Sequence, residues 1–272
     1  MEGPEPRGEI VTRALSSPVM NITSPLQFES PSTMKAIILA AGNGTRLNGG
    51  AARAKCLMPI GGTSLMRRQI RSLRQCGVRE IVVVVGYQQD RVRAECGEGI
   101  QFVENPWYRE TNSLYSLWLA RGHLAGGFLV LNSDVLFHSA MLRELVESKH
   151  QAALLVAYRN PDSVSFGAEE MKVKVAGSQV TDISKELDPA DADGESVGIA
   201  KFGPAQARHL IRYLVRLIAN GGSREWAPRA FREFAQHHPL HVVGTRNHPW
   251  IEIDFPEDYE RAVRQVAPQL GE

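Results

Sequence analysis

Lys35–Leu47 reads KAIILAAGNGTRL, an apolar run that passes directly into two glycines and an arginine. Lys35–Leu39 reads as a buried strand, and the residues after it as a glycine-rich loop. Small residues leaving a buried strand let backbone N–H groups approach phosphate oxygens closely, and Arg46 adds a fixed cationic fork. Gly42 and Gly44 alone would be weak, since turns use glycine constantly. The whole string Leu39, Ala40, Ala41, Gly42, Asn43, Gly44, Thr45, Arg46, placed after a strand, is more specific and predicts a phosphate cradle. It lacks the GxxxxGK[ST] spacing of a P-loop and the third glycine of the dinucleotide fingerprint. An ordinary βα turn is the plain alternative.

Outward from this loop, short apolar strands alternate with amphipathic stretches. Ser64–Cys76 carries Leu65, Met66, Ile70 and Leu73 on one helical face. Strands are expected at Glu80–Val85, Gln101–Val103, Phe128–Leu131 and Ala152–Tyr158, with helices at Thr111–His123 and Ser139–Ser148. The βαβ succession predicts an α/β fold with a doubly wound, mostly parallel sheet and helices on both faces. In such sheets ligands bind outside the carboxyl ends of the strands. The second half is less regular. Met171–Val175 and Gln179–Ile183 read as a hairpin, Ser196–Phe202 as a strand and Ala205–Asn220 as an amphipathic helix. Late strands at His241–Val243 and Trp250–Ile253 precede a closing helix from Pro256 to Val266. Residues 34–272 are expected to form one domain with an elaborated C-terminal half. Residues 1–33, rich in Pro, Ser, Glu and Gly, read as a disordered extension.

Composition narrows the function classes. The chain has 272 residues and a net charge of +1, which supplies no general attraction to nucleic acid or anionic membranes. No apolar run reaches the ~20 residues a membrane span needs. Cys56, Cys76 and Cys96 are odd in number and form no CxxC pair, so a reduced, cytoplasmic setting is the simple expectation and a zinc site is not.

Two carboxylates stand at strand ends. Asp134 closes the apolar run LVLNSD, and Asp254 follows WIEI and precedes a proline-started helix. A carboxylate in such a place can hold Mg²⁺ against phosphate oxygens, because hard cations take oxygen ligands. Either aspartate could instead cap the helix that follows it.

With Lys55 eight residues beyond Leu47, the LAAGNGTRL segment resembles the signature of the nucleotidyltransferase family that includes sugar-1-phosphate pyrophosphorylases. The resemblance implies a nucleotide-diphospho-sugar transferase-like, Rossmann-type fold. It also implies that Gly42 and Gly44 wrap a nucleoside triphosphate, that Arg46 touches the leaving pyrophosphate and Lys55 the phosphates, and that Asp134 and Asp254 ligate Mg²⁺. The proline usual before the lysine is Ala54 here. Asn105-Pro106-Trp107-Tyr108 and Thr111–Leu117 (TNSLYSL) resemble a segment of bacterial phosphocholine cytidylyltransferases and their phosphonate-activating relatives, which brings Asn112 and Ser116 toward the nucleotide. Tyr87, after Gly86, fits that family's base-binding edge, and Gly194–Ile199 its GE-x-x-GI strand. Lys185 matches a lysine that reaches the acceptor's phosphate; a surface pair with Glu186 or Asp182 is the alternative. Trp107, Tyr108, Trp118, Trp226 and Trp250 are candidates for a quaternary-ammonium cage.

The resemblance implies a cytidylyltransferase that uses CTP and Mg²⁺ to activate phosphocholine or a small phosphonate such as 2-aminoethylphosphonate. A sugar-1-phosphate nucleotidyltransferase and a catalytically silent regulatory subunit remain open, as does a homo-oligomer.

Overall fold

The computed structural model describes residues 34–44, 53–159 and 166–271. The expectations for Thr45 and Arg46 and for the extension 1–33 fall outside the described residues. Along the first half run β1 (Lys35–Ala40), β2 (Pro59–Ile60), β3 (Thr63–Ser64), α1 (Leu65–Gln75), β4 (Ile81–Val85) and α2 (Gln89–Cys96). They are followed by β5 (Ile100–Glu104), α3 (Ser113–Leu119), β6 (Phe128–Asn132), β7 (Val135–Phe137), α4 (Ser139–Glu147) and β8 (Ala152–Tyr158). The second half contributes β9 (Lys172–Ala176), β10 (Gln179–Ser184), β11 (Gly194–Phe202), α5 (Pro204–Ala219), α6 (Pro228–Ala235), β12 (His241–Gly244), β13 (Trp250–Glu252) and α7 (Pro256–Arg261).

Among the described residues, nine strands form one sheet in the order β5-β4-β1-β6-β11-β8-β12-β10-β9. The β5-β4-β1-β6 half is parallel throughout, and β4, β1 and β6 read as the near-continuous apolar runs of a sheet covered on both faces. The other half corrects the expectation of a mostly parallel sheet. β11 runs antiparallel to both β6 and β8, and the β9–β10 hairpin lies antiparallel as well, so the sheet is mixed. The physical reason is that an apolar strand buried on both faces reads the same in either direction. What sets direction is the connection, and the β9–β10 hairpin between β8 and β11 replaces the helical crossover that parallel neighbours require.

Successive residues of β1 point to opposite faces. Ile37 and Leu39 join Leu114 and Trp118 of α3, Leu214 of α5 and Phe231 of α6 in one core. Ala36, Ile38 and Ala40 join Met66 and Leu73 of α1, Val92 of α2 and Met141 of α4 in the other. Phe202 stacks on Phe128 with centroids 5.4 Å apart and meets Phe234 edge-on at 5.3 Å. Burying each such ring contributes roughly 1.5–3 kcal/mol, and the aromatic geometry adds about 1 kcal/mol per pair. Ser64 caps α1 by accepting a hydrogen bond from the Arg67 N–H at 3.2 Å, so the helix begins where the apolar periodicity begins.

A second, two-stranded sheet decides where the site lies. β13 pairs antiparallel with β7, setting Glu252 opposite Val135 and Trp250 opposite Phe137. The Ile253 N–H donates to the Asp134 carbonyl at 3.0 Å. Residues from the middle of the chain and from near its end are thereby fixed side by side. The closing helix is α only over Pro256–Arg261 and then widens into a π-type turn over Ala262–Val266.

Candidate active site

A cleft of about 680 Å³ opens at the carboxyl ends of β1 and β6, within the size range of small-molecule sites. Leu39, Ala40, Ala41, Gly42 and Gly44 line it, together with Asn112 and Ser116 from the start of α3. Lys55, Asp134, Lys185 and Asp254 line it too. Tyr87 does not. Along β4, Val83 and Val85 face the core that contains α1 and α2, and Tyr87 continues that parity and packs against the same core. Its backbone N–H donates to the Ala41 carbonyl at 3.0 Å, and its ring stands 6.2 Å from that of Tyr108, which does line the cleft.

Gly44 and Lys55 are fitted to each other. Gly44 has φ +58°, and a Cβ there would lie 2.8 Å from Lys55 Cγ, so the lysine stem passes over the loop at a distance only glycine permits. The Lys55 ammonium is 3.1 Å from Asp134 Oδ2 and also contacts Asp254 Oδ1. Burial alone would lower the lysine's pKa, but the two carboxylates together outweigh it and hold the group above its ordinary value. Neither aspartate caps the following helix. The Ala140 N–H is accepted by His138 Nδ1, and the Asp254 and Phe255 N–H groups donate to Asp258 Oδ2.

Glu252 completes a carboxylate trio that reading for single strand-end aspartates missed. Oxygens of Asp134, Glu252 and Asp254 all lie within 4.8 Å of one another. The signal was available: in Glu252-Ile253-Asp254 the two acids are two residues apart, hence on one face of an extended chain. Burial, then the charges of Asp134 and Asp254, push the Glu252 carboxyl up to about 8. Three oxygen donors this close together, two of them paired with one ammonium, make a set suited to a hard divalent cation.

The NPWY and TNSLYSL segments form one unit. Asn105 is buried, and its Nδ2 donates to Thr111 Oγ1 at 3.1 Å and to Ser116 Oγ at 3.0 Å, while its Oδ1 accepts from the Trp107 N–H. The same helix start fastens the segment that carries Trp226. Asn112 and Leu114 donate backbone N–H bonds to Ser223 and Glu225 carbonyls, and Ser113 Oγ accepts from the Ala227 N–H at 2.7 Å.

Lys185 pairs with Glu169 at 3.0 Å, and its ammonium lies 4.8 Å from the Trp226 ring centre. Asp182, the alternative partner, is taken by Arg232 at 2.6 Å. The five aromatics do not assemble into a cage. Trp118 is buried against Tyr115, Trp250 packs on the opposite core, and Trp107 is exposed outside the cleft lining. Only Tyr108 and Trp226 of the set reach the cleft.

Comparison with known proteins gives the chain a family. The model of the MobA-like NTP transferase domain matches residues 36–253, and the chain belongs to that family. It is 28% identical over 237 residues to a bifunctional IPC transferase and DIPP synthase of Aquifex aeolicus, covering 85% of this chain and 51% of the relative. It is 34% identical over 121 residues to a choline-phosphate cytidylyltransferase of Streptococcus pneumoniae, covering 43% of this chain and 52% of the relative. A CMP-5'-(3-aminopropyl)phosphonate synthase of Streptomyces rubellomurinus is 34% identical over 135 residues, covering 47% of this chain and 22% of the relative. The chain thus spans about half or less of these relatives. Two solved structures share the fold. The S. pneumoniae CTP:phosphocholine cytidylyltransferase has a TM-score of 0.69 at 24% identity, over 84% of this chain and 96% of the other. The inositol-1-phosphate CTP transferase of T. maritima has a TM-score of 0.72 at 22% identity, over 90% and 98%. Among the described residues no helix is long and apolar enough to cross a membrane.

Proposed function

We propose that this chain is an Mg²⁺-dependent cytidylyltransferase that joins CMP from CTP to a small phosphate or phosphonate and releases pyrophosphate. The observation that carries this reading is the convergence of the glycine loop, Lys55 and the Asp134–Glu252–Asp254 trio on one cleft. Residues 34–272 act as one catalytic domain.

An oxygen of the acceptor's phosphoryl group attacks the α-phosphorus of CTP. The new P–O bond forms as the bond between the α-phosphorus and the bridging oxygen breaks, and pyrophosphate leaves with that electron pair. The acceptor is already anionic, so the chain supplies position and charge rather than a strong base. Backbone N–H groups of Leu39–Gly44 cradle phosphates, Lys55 and Arg46 balance the charge of the triphosphate, and Asn112 and Ser116 face the nucleotide. Asp134, Glu252 and Asp254 would hold Mg²⁺, which when bound neutralises phosphate charge. Lys185 meets the acceptor's phosphoryl group.

Phosphocholine or an aminoalkylphosphonate is the favoured acceptor class, supported by the cytidylyltransferase relatives and the NPWY and TNSLYSL segments. A polyol or sugar phosphate is the second class, supported by the IPC-transferase relative, which matches 85% of this chain. Mass spectrometry of products formed from CTP with phosphocholine, 2-aminoethylphosphonate, inositol-1-phosphate and glucose-1-phosphate separates them. A CMP adduct of either of the first two is expected, and an adduct of a polyol or sugar phosphate alone overturns the favoured class.

A further inference from the structure

Gln69 lies on α1 and does not line the cleft, yet it touches the segment that presents Asp134. The side chain is 2% exposed. Its Nε2 donates to the Asn132 carbonyl and to the Val135 carbonyl, each at 2.9 Å. These carbonyls flank Ser133 and Asp134, where the chain leaves β6 and enters β7. A single amide group therefore grips both ends of the turn that carries the aspartate. From the other side, the Ile253 N–H holds the Asp134 carbonyl at 3.0 Å, so this one carbonyl ties the turn to Ile253, the residue immediately before Asp254.

Asn132 closes the ladder of β6 with β1, and Val135 opens that of β7 with β13, so both carbonyls lie where main-chain pairing runs out. The long unbranched side chain of Gln69 reaches from a helix face that is otherwise core: Met66, Ile70 and Leu73 beside it are all buried apolar residues. A buried amide in that position is costly unless it makes its hydrogen bonds, and both it makes with Nε2 go to this turn. Among the described residues Gln69 Oε1 has no hydrogen-bond partner, so what this amide contributes is its donor end.

We propose that Gln69 is the positioning residue for Asp134: by clamping Asn132 and Val135 it fixes the carboxylate at the spacing from Glu252 and Asp254 that a divalent cation requires. This rests on the reading of the carboxylate trio as the metal site. Residues that orient metal ligands from behind typically change metal affinity about 10–100-fold when replaced.

The test is Mn²⁺ titrated into the free protein and followed by the electron paramagnetic resonance of the unbound ion, with Gln69→Met, Gln69→Asn and Asp134→Asn compared. Gln69→Met keeps length and volume without the donor; Gln69→Asn keeps the amide but is one methylene too short to span both carbonyls. Both are expected to bind Mn²⁺ about tenfold or more weakly. In turnover assays each should lower kcat at fixed Mg²⁺ with little change in the KM for CTP, and raised Mg²⁺ should restore part of the loss. If Gln69→Met does not fold, Gln69→Asn decides. Gln69 variants that bind Mn²⁺ within about twofold of wild type, while Asp134→Asn loses it, overturn the positioning role and leave the metal site standing. Unchanged binding by Asp134→Asn overturns the metal site, and the role of Gln69 with it.

Discussion

The Lys55 ammonium stands 3.1 Å from the Asp134 carboxylate although 79 residues separate them in sequence, and it reaches Asp254 at the far end of the chain as well. One cation thus pairs with two of the three carboxylates proposed to hold a metal ion. Two charges about 4 Å apart at a protein surface interact by about 4 kcal/mol at an effective dielectric constant near 20. Replacing Lys55 should therefore act in opposite directions on binding and on chemistry. Lys55→Met is expected to bind Mn²⁺ in the free protein at least tenfold more tightly than wild type, while turnover falls about 100-fold or more. Isothermal titration and a pyrophosphate assay check the pair. Unchanged Mn²⁺ affinity would show that the ammonium does not compete for those carboxylates.

Gly44 tests how closely the loop and the lysine are fitted. Gly44→Ala places a Cβ 2.8 Å from Lys55 Cγ at a φ of +58°. The left-handed backbone costs about 1–2 kcal/mol, and Lys55 must also move. Gly177→Ala is the control. Its φ of +62° carries the same backbone cost, with nothing within 4 Å of the new Cβ. Both variants should melt a few degrees lower, but only Gly44→Ala should lose kcat/KM, by about tenfold or more. Equal activities would separate Lys55 from the loop's function.

Much of the parallel half of this fold was legible. β1, β4 and β6 are apolar runs that enter loops, and α1 shows its buried stripe and its serine cap in the sequence itself. What was hidden has identifiable causes. The direction of β11 leaves no trace in composition, since both faces of the strand are buried either way. α2 was missed because its apolar signal is thin: only Val92 and Cys96 are buried, and Gln88 opens the helix with an unusual φ of +51°. In the site, Lys55 was singled out through the family resemblance and Asp134 and Asp254 as strand-end carboxylates; all three line the cleft, and the pairing of the lysine with both aspartates was not foreseen. Tyr87 was read as part of a base-binding edge after Gly86, whereas strand parity turns it toward the core that contains α1 and α2 and away from the cleft lining. Glu252 was overlooked because strand ends were read for single acids rather than for the face they share. No sequence pattern revealed Gln69, whose role depends on two carbonyls more than sixty positions away.

Ser113 links the start of α3 to the segment that carries Trp226. Its hydroxyl accepts from the Ala227 N–H at 2.7 Å, one of the bonds that hold the 223–227 segment against α3. Ser113→Ala removes that acceptor and should cost stability of about 1 kcal/mol. The larger effect expected is a several-fold rise in the acceptor's KM with the KM for CTP unchanged, because Trp226 packs against Lys185, the residue proposed to meet the acceptor's phosphoryl group. Equal changes in both constants would contradict a local role.

Glu195 gives the fold a pH signature. Burial, and then the neighbouring Glu170, push its carboxyl up to about 7, against an opposing pull from Lys172 and Lys185. A carboxyl whose pKa is higher folded than unfolded binds more protons in the native state between those two values, so stability falls as pH rises through that window. The penalty is absent below about pH 4 and complete above about pH 7, with an upper bound of about 3 kcal/mol. Glu195→Gln should therefore raise the melting temperature by several degrees at pH 8 and leave it nearly unchanged at pH 4. A gain independent of pH would remove the titration from the explanation.

Nucleotidyl transfer at the cleft where Asp134, Lys55 and the glycine loop meet is tested most directly by pyrophosphate release. The purified protein with Mg²⁺ would be offered each nucleoside triphosphate in turn with a mixture of phosphocholine, 2-aminoethylphosphonate and sugar phosphates. Release is expected with CTP, dependent on Mg²⁺ and abolished by Asp134→Asn in protein that remains folded. No release with any nucleotide, or undiminished release from Asp134→Asn, would contradict it.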